Sequence, residues 1–358
     1  MKAILMLEDG RSFLGESNGA KGERVGEIIM NTAVVGYQEM LTDPANADKI
    51  LVLTYPLVGN YGCAPKFNES EKVWLAGLVI KENSRIFSNW QARESLEDFT
   101  KRNNLLCLQS IDTRTLAVHL RQKGAMRGII STSTFEAKEL LLKIEAYKKE
   151  KPQSLLEKTS LKSPKRVGKL NGKKIAVLDL GITRGILNQL ESLGVSLTRL
   201  PYNTKIENIL KIKPKGLIIS NGPEDMEGLE KVAVNIRPLI GRLPVLGLGA
   251  GSLVLGIALG VKINKLKIGH RGVNYPVQSP HSFKGEITAQ NHAYVLDPVS
   301  LLKIKGLKIS SYNLNDRSVE EIESRRLKIL GAQYIPLSPG FNEVHVLFNR
   351  FMTMMGRS

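Results

Sequence analysis

From Lys173 to Gly222 the chain reads KKIAVLDLGITRGILNQLESLGVSLTRLPYNTKIENILKIKPKGLIISNG, and this stretch decides the fold. KIAVLDL is a continuous apolar run that reads as a buried strand. TRGILNQLESLG has helical spacing of its apolar residues and closes on Gly194. VSLTRLPYN is a second strand, KIENILKIK a helix and GLIISNG a third strand. The alternation continues through the helix-like EKVAVNIRPLIGR, the strand PVLGLG and the helix SLVLGIALG. Repeated strand, helix, strand units predict a mostly parallel sheet covered on both faces, because each crossover lays its helix on the sheet. Sheets of this kind bind ligands in loops at the carboxyl ends of their strands. That rule selects three loops: Asn221 to Asp225, Gly247 to Gly251, and Gln333 to Gly340.

Upstream the pattern changes. Residues 1–134 show short strand-like runs (AILMLED, KILVLTYP, LAGLVI) and helix-like patterns at Leu96 to Asn103 and Arg114 to Lys123. They predict a small α+β amino-terminal domain. Lys143 to Lys174 is dense in Lys, interleaved with Glu and rich in Ser, Pro and Gly, so residues 135–172 read as a basic, solvated linker. The expected organisation is therefore a domain at 1–134, a linker at 135–172 and an α/β domain at 173–358.

The 358 residues carry 51 Lys and Arg against 34 Asp and Glu, a net charge of +17. No aromatic platform or nucleic-acid reading motif accompanies that charge, so nucleic acid is not expected as a partner. Two cysteines, Cys63 and Cys107, and an amino terminus without an apolar signal core point to a reducing, cytoplasmic setting. Leu243 to Val261 (LPVLGLGAGSLVLGIALGV) is uncharged and long enough to span a bilayer. Its glycines following a Pro-Val-Leu strand pattern favour a buried strand, tight turn and packed helix, and no membrane association is expected.

Several runs resemble a known family in order along nearly the whole chain. In the first domain they are LEDGRSFLGES, GEIIMNTAVVGYQEMLTDP, LTYPLVGNYG, SNWQARESLEDF and IDTRTLAVHLRQKGAMRGII. In the second they are SNGPED, PVLGLGAG, KLKIGHRGVNYPV, TAQNHAYVLD and QYIPLSPG. They resemble the small subunit of carbamoyl phosphate synthetase. The resemblance implies a class I glutamine amidotransferase domain behind an amino-terminal domain that docks on a large synthetase subunit. It further implies a place in pyrimidine or arginine biosynthesis, and no cofactor in this chain. In that family a Cys attacks the glutamine carboxamide, a His carries the proton and a Glu orients the His.

The residues for that chemistry are replaced. The family pattern Pro-Val-x-Gly-x-Cys-x-Gly-His-Gln here reads Pro244, Val245, Leu246, Gly247, Leu248, Gly249, Ala250, Gly251, Ser252, Leu253, which puts Gly249 at the nucleophile position. The pattern Gln-Tyr-His-Pro-Glu reads Gln333, Tyr334, Ile335, Pro336, Leu337, so Ile335 stands for the base and Leu337 for its orienting acid. The positions implied for glutamine binding are Ala45, Gly222, Glu224, Ala250, Leu253, Asn291, Ala293 and Tyr294. Ala45 replaces Ser, Glu224 replaces Gly, Leu253 replaces Gln and Ala293 replaces Gly; Gly222, Asn291 and Tyr294 stay at or near the pattern. The expectation is a chain without glutaminase activity, with Ile335 and Leu337 packed into core where a wet cleft had been.

Other readings of the same residues are weaker. Ser252 lies three residues past the elbow without a partner base and reads as a helix-facing polar residue. His270 and His292 sit inside family motifs as structural residues, while His119, His281 and His345 have no acidic or Cys partner at metal-ligand spacing, so no metal site is assigned. Gly247 to Gly251 imitates a dinucleotide fingerprint, but Ser252 replaces its last Gly and the expected acid falls in the basic stretch Lys265 to Arg271. Two roles follow from the residues: a structural or regulatory subunit on a large synthetase subunit that uses free ammonia, or a stand-alone pseudoenzyme whose old cleft binds another ligand or protein.

Overall fold

The computed structural model describes residues 1–150, 153–280, 282, 285–340 and 343–356. It forms two compact units, Met1–Pro152 and Gln153–Ser358.

In the first unit the strands are β1 (Lys2–Leu7), β2 (Ser12–Ser17), β3 (Glu23–Asn31), β4 (Lys49–Leu53), β5 (Leu57–Val58), β6 (Gly77–Val79), β7 (Glu82–Asn83), β8 (Leu106–Gln109) and β9 (Arg127–Ser131). Seven of them close a barrel in the order β1-β2-β8-β6-β4-β3-β9, while β5 pairs with β7 apart from it. Alternation along β1 explains the closure. Ala3, Leu5 and Leu7 face one apolar cluster with Leu106, Leu108, Leu116 and Leu120. Ile4 and Met6 face another, with Ile129, Leu140 and Ile144.

That second cluster corrects the expected linker. Leu140 and Ile144, spaced by one helical turn, belong to the helix Ala137–Lys149 and are fully buried against the barrel. The far side of the expected linker belongs to the second unit. Leu156, in the helix Leu155–Thr159, is buried in that unit's core, and Lys165–Gly168 is a strand. The charges of these two helices and of the strand Lys165–Gly168 lie at exposed or half-exposed positions, so the run reads as loop by composition while its few apolar residues hold those elements in place.

The second unit carries β10 (Lys165–Gly168), β11 (Lys174–Asp179), β12 (Ser196–Pro201), β13 (Gly216–Ile219), β14 (Val245–Leu248), β15 (Ile263–Gln278), β16 (Gly285–Leu296), β17 (Lys308–Asn313), β18 (Val319–Ser324) and β19 (Ile329–Ala332). They form one ten-stranded sheet, β10-β12-β11-β13-β14-β19-β18-β17-β15-β16. The five strands β12, β11, β13, β14 and β19 are mutually parallel, as the strand and helix alternation predicts. Beyond β19 the pairings turn antiparallel, and β10 joins β12 antiparallel, so the sheet is mixed.

Both faces of the parallel part are covered. Ala176 and Leu178 of β11 pack with Leu229, Val232, Leu253 and Val254; Ile175 and Val177 pack with Ile186, Leu190, Phe348 and Phe351. Successive side chains of one strand thus enter opposite cores, which is why these strands read as unbroken apolar runs. Leu243 to Val261 is absorbed here as the buried strand β14 and the buried helix Ala250–Ala258. Among the described residues no helix is long and apolar enough to cross a membrane.

Candidate functional site

The three loops selected from the sequence meet at Gly249. Its N–H donates to the Ala332 carbonyl at 2.7 Å, which ties the end of β14 to the end of β19. A Cβ placed on Gly249 would lie 3.5 Å from Asn221 Cβ and 3.9 Å from the Gln333 carbonyl oxygen. Gly249 has φ 52° and ψ −115°, a backbone that side chains other than hydrogen rarely tolerate, and it opens the helix Ala250–Ala258. The sharp strand-to-helix turn of a nucleophile elbow is therefore present, without a nucleophile on it. Its flanking glycines serve close packing. A Cβ on Gly251 would collide with the Ile219 carbonyl, and one on Gly222 with the Leu180 carbonyl. This accounts for the imitation of a dinucleotide fingerprint by packing alone.

Ile335 and Leu337 differ from expectation. The Ile335 N–H donates to the Ala289 carbonyl at 2.8 Å in an isolated antiparallel bridge, and its side chain is half-buried. Leu337 is 51% exposed and joins no apolar cluster of the described residues. The segment keeps a fixed backbone, with the Pro336 carbonyl accepting from Gln189 Nε2 at 2.7 Å. Leu337 leaves the turn towards solvent and Ile335 is only half-buried, so the replacement did not create core.

The positions named for glutamine binding divide by unit. Ala45 lies in the first unit, buried in the turn Pro44–Asn46, where its N–H donates to Asp43 Oδ1 at 2.9 Å. In the second unit Gly222 and Ala250 are buried beside the elbow strand, and Leu253 is fully buried in the apolar core. Asn291 stands opposite Arg271 in the β15–β16 ladder. The Ala293 N–H donates to Glu224 Oε2 at 2.7 Å and the Tyr294 N–H to Glu224 Oε1 at 3.0 Å. One substituted position therefore occupies the donors of two others with its own carboxylate.

Two residues flanking this site carried no individual role in the sequence reading. Asn221 Oδ1 accepts from the Thr183 N–H at 3.4 Å, and Gln333 Nε2 donates to the Tyr294 carbonyl at 2.9 Å. Neither amide is a base. Ser252 is buried with its Oγ unpartnered, so nothing activates it as a nucleophile.

The histidines acquire partners that spacing along the chain hides. His119 Nε2 lies 2.7 Å from Asp9 Oδ2, and His345 Nε2 lies 2.9 Å from Glu286 Oε1. The His345 hydrogen bond holds the Glu286 carboxyl below its ordinary range. His345 Nδ1 accepts from the Leu347 N–H at 3.2 Å and caps the helix Val346–Met354, so both ring nitrogens are committed to structure. His281 lies outside the described residues. Burial opposes a charge on His270, yet hydrogen bonds to Asp316 and Glu320 outweigh it and raise its pKa to about 9. Burial lowers that of His292.

Comparison with known proteins gives the same division of the chain. Residues 5–130 match the family described as carbamoyl-phosphate synthase small chain, CPSase domain. Residues 176–354 match glutamine amidotransferase class-I. A carbamoyl phosphate synthase small chain of Syntrophotalea carbinolica is 37% identical, the alignment covering 100% of this chain and 99% of that protein. One from Aquifex aeolicus is 39% identical over 98% of both chains. The chloroplastic small chain of Oryza sativa is 35% identical, covering 99% of this chain and 82% of the relative.

Proposed function

Since the chain belongs to the carbamoyl phosphate synthase small-chain family, we propose that it acts as the non-hydrolysing small subunit of such a synthase. In this reading it docks on a large subunit through its amino-terminal unit, and the complex draws on free ammonia. The observation that carries the reading is Gly249 on an otherwise formed elbow. Amide hydrolysis of this class needs a thiolate, a base to take its proton and an acid to orient the base. Those three positions hold Gly249, Ile335 and Leu337, and both cysteines, Cys63 and Cys107, lie in the other unit. Removing a triad nucleophile alone costs roughly 10⁶-fold in turnover.

Glu224 supports the same conclusion. Its carboxylate fills two backbone donors at positions implied for the substrate, so glutamine meets an anion where it would need a donor pair. The barrel unit, by contrast, keeps long runs of the family pattern, as a selected docking surface requires.

The test is co-expression with the large subunit from the same genome, followed by size-exclusion chromatography and assay of carbamoyl phosphate with ammonia or glutamine as nitrogen source. The expected result is co-elution, turnover with ammonia and none with glutamine. Separate elution at micromolar concentration rejects docking and favours a stand-alone role. Glutamine-dependent turnover rejects the loss of hydrolysis.

A further inference from the structure

The antiparallel half of the second unit's sheet gathers His270 of β15, His292 of β16 and Glu320 of β18 at one buried point. His270 and His292 face each other directly in the strand register, with ring centroids 4.9 Å apart. Glu320 Oε1 lies 3.5 Å from His270 Nδ1 and 3.8 Å from His292 Nε2. The three residues are 8%, 1% and 0% exposed in that order.

The outward nitrogens are anchored. His270 Nε2 lies 2.9 Å from Asp316 Oδ2, and His292 Nδ1 lies 3.1 Å from the Tyr294 carbonyl. A carboxylate only accepts, so His270 donates outward through Nε2; His292 faces acceptors on both sides, the Tyr294 carbonyl and Gln290 Oε1 at 3.2 Å, and its neutral ring donates to one of them. A neutral His270 then presents Nδ1 as a lone pair towards Glu320, whose Oε1 accepts from Asn313 Nδ2 at 3.0 Å, and His292 presents a second lone pair through Nε2 when its proton sits on Nδ1. A carboxylate or carbonyl holding the outer nitrogen is the arrangement that orients metal-binding imidazoles. Two further observations point into the same space. Glu320 Oε2 is fully buried and has no hydrogen-bond partner. Gln290 Oε1, on a side chain 2% exposed, lies 3.2 Å from His292 Nε2 and adds a neutral oxygen to the cluster.

We propose that His270, His292 and Glu320 form a binding site for a divalent ion of the zinc class, tying three antiparallel strands together. Two imidazoles and a carboxylate suit zinc or cobalt(II) rather than calcium or magnesium, which take oxygen ligands. In a tetrahedral site with bonds of about 2.0–2.1 Å, ligand atoms sit about 3.4 Å apart. The 3.5 and 3.8 Å separations on Glu320 already approach that edge. Burial makes the role structural.

The full chain, produced in zinc-supplemented medium and separately refolded with cobalt(II) after chelation, tests this by elemental analysis and visible absorption. We expect about one ion per chain, a cobalt spectrum of low coordination number, and a melting temperature raised by several degrees. Glu320→Gln, nearly isosteric, should bind at least about tenfold more weakly, as ligand-shell changes do. Should that variant fail to fold, an anomalous-scattering peak between His270 Nδ1 and His292 Nε2 in wild-type crystals decides the matter. Metal content below about 0.1 per chain after both loadings overturns the proposal, as does equal content in Glu320→Gln or an anomalous peak elsewhere.

Discussion

The carboxylate of Glu224 accepts from the backbone N–H of Ala293 at 2.7 Å, and its second oxygen takes the N–H of Tyr294 at 3.0 Å. A side chain on the loop after β13 thus holds two successive amides of β16. Hydrogen bonds to a charged acceptor are stronger than neutral ones, and a buried N–H left without a partner costs about 1–3 kcal/mol.

Glu224→Ala is therefore expected to destabilise the fold by about 1–3 kcal/mol in urea titration. Glu224→Gln can satisfy one amide and should fall between the two. Neither variant should hydrolyse glutamine, because clearing the donors supplies no nucleophile. Equal stability of all three proteins would remove Glu224 from any structural role.

Gly249→Cys tests whether the elbow alone can be repaired. The space allows a Cβ, whose nearest neighbours would be at ordinary contact distance, but φ 52° and ψ −115° burden any side chain with about 1–3 kcal/mol. The variant should fold with that loss in thermal or urea unfolding, and it should carry one additional alkylatable thiol. It should release no ammonia from glutamine above background, since the atoms facing the new side chain belong to Asn221 and Gln333 and supply no base. Glutaminase activity in this single variant would place a base elsewhere in the cleft.

How far the sequence foretells these features depends on how local their cause is. β11, β13 and β14 are legible because strands buried on both faces must be apolar throughout, as KIAVLD and GLII are. The long β15–β16 hairpin is not, because Lys265, Lys267, Val273 and Asn274 face solvent and break its alternation. The elbow is legible from its glycines and its place after a strand. The contact of Glu224 with Ala293 and Tyr294, and that of His270 with Glu320, depend on which strands become neighbours, and no spacing encodes that. Leu337 misleads for a related reason: apolar character predicts burial only where the backbone turns the side chain inward.

Glu23 joins the barrel to the helix Ala137–Lys149 and supplies a pH-dependent prediction. Burial works against its charge, but hydrogen bonds from Lys143, Thr134, Ser131 and Ser133 prevail and lower its pKa from 4.5 to about 2. A depressed folded-state pKa contributes stability that is present above about 4.5 and lost as pH falls towards about 2. Solvent screening of this partly exposed pair limits the effect to about 1 kcal/mol. Glu23→Gln should therefore narrow its stability gap to wild type between pH 5 and about 2, measured by urea unfolding. A gap that is constant across this range would assign the effect to packing.

The proposed docking of the amino-terminal unit on a large subunit has a candidate face in its exposed apolar residues. Trp90 is 89% and Ile86 80% exposed in one short loop segment, where Phe87 lies against Gly62 and Lys66 Nζ sits 5.7 Å from the Trp90 ring centroid. A large aromatic held out in solvent gains nothing from the folded chain, and grouped apolar exposure marks interaction surfaces. Tryptophans that become buried on association dominate binding, with losses of about 2 kcal/mol or more on truncation. Trp90→Ala should therefore weaken association with the large subunit by about 30-fold, with unfolding free energy unchanged within about 0.5 kcal/mol. Leu170→Ala, at a residue 71% exposed in the other unit, is the comparison and should bind as wild type does. Association measured by titration calorimetry, with ammonia-dependent turnover of the mixture as a second readout, distinguishes the two. Unchanged affinity of Trp90→Ala would move the docking face away from this loop.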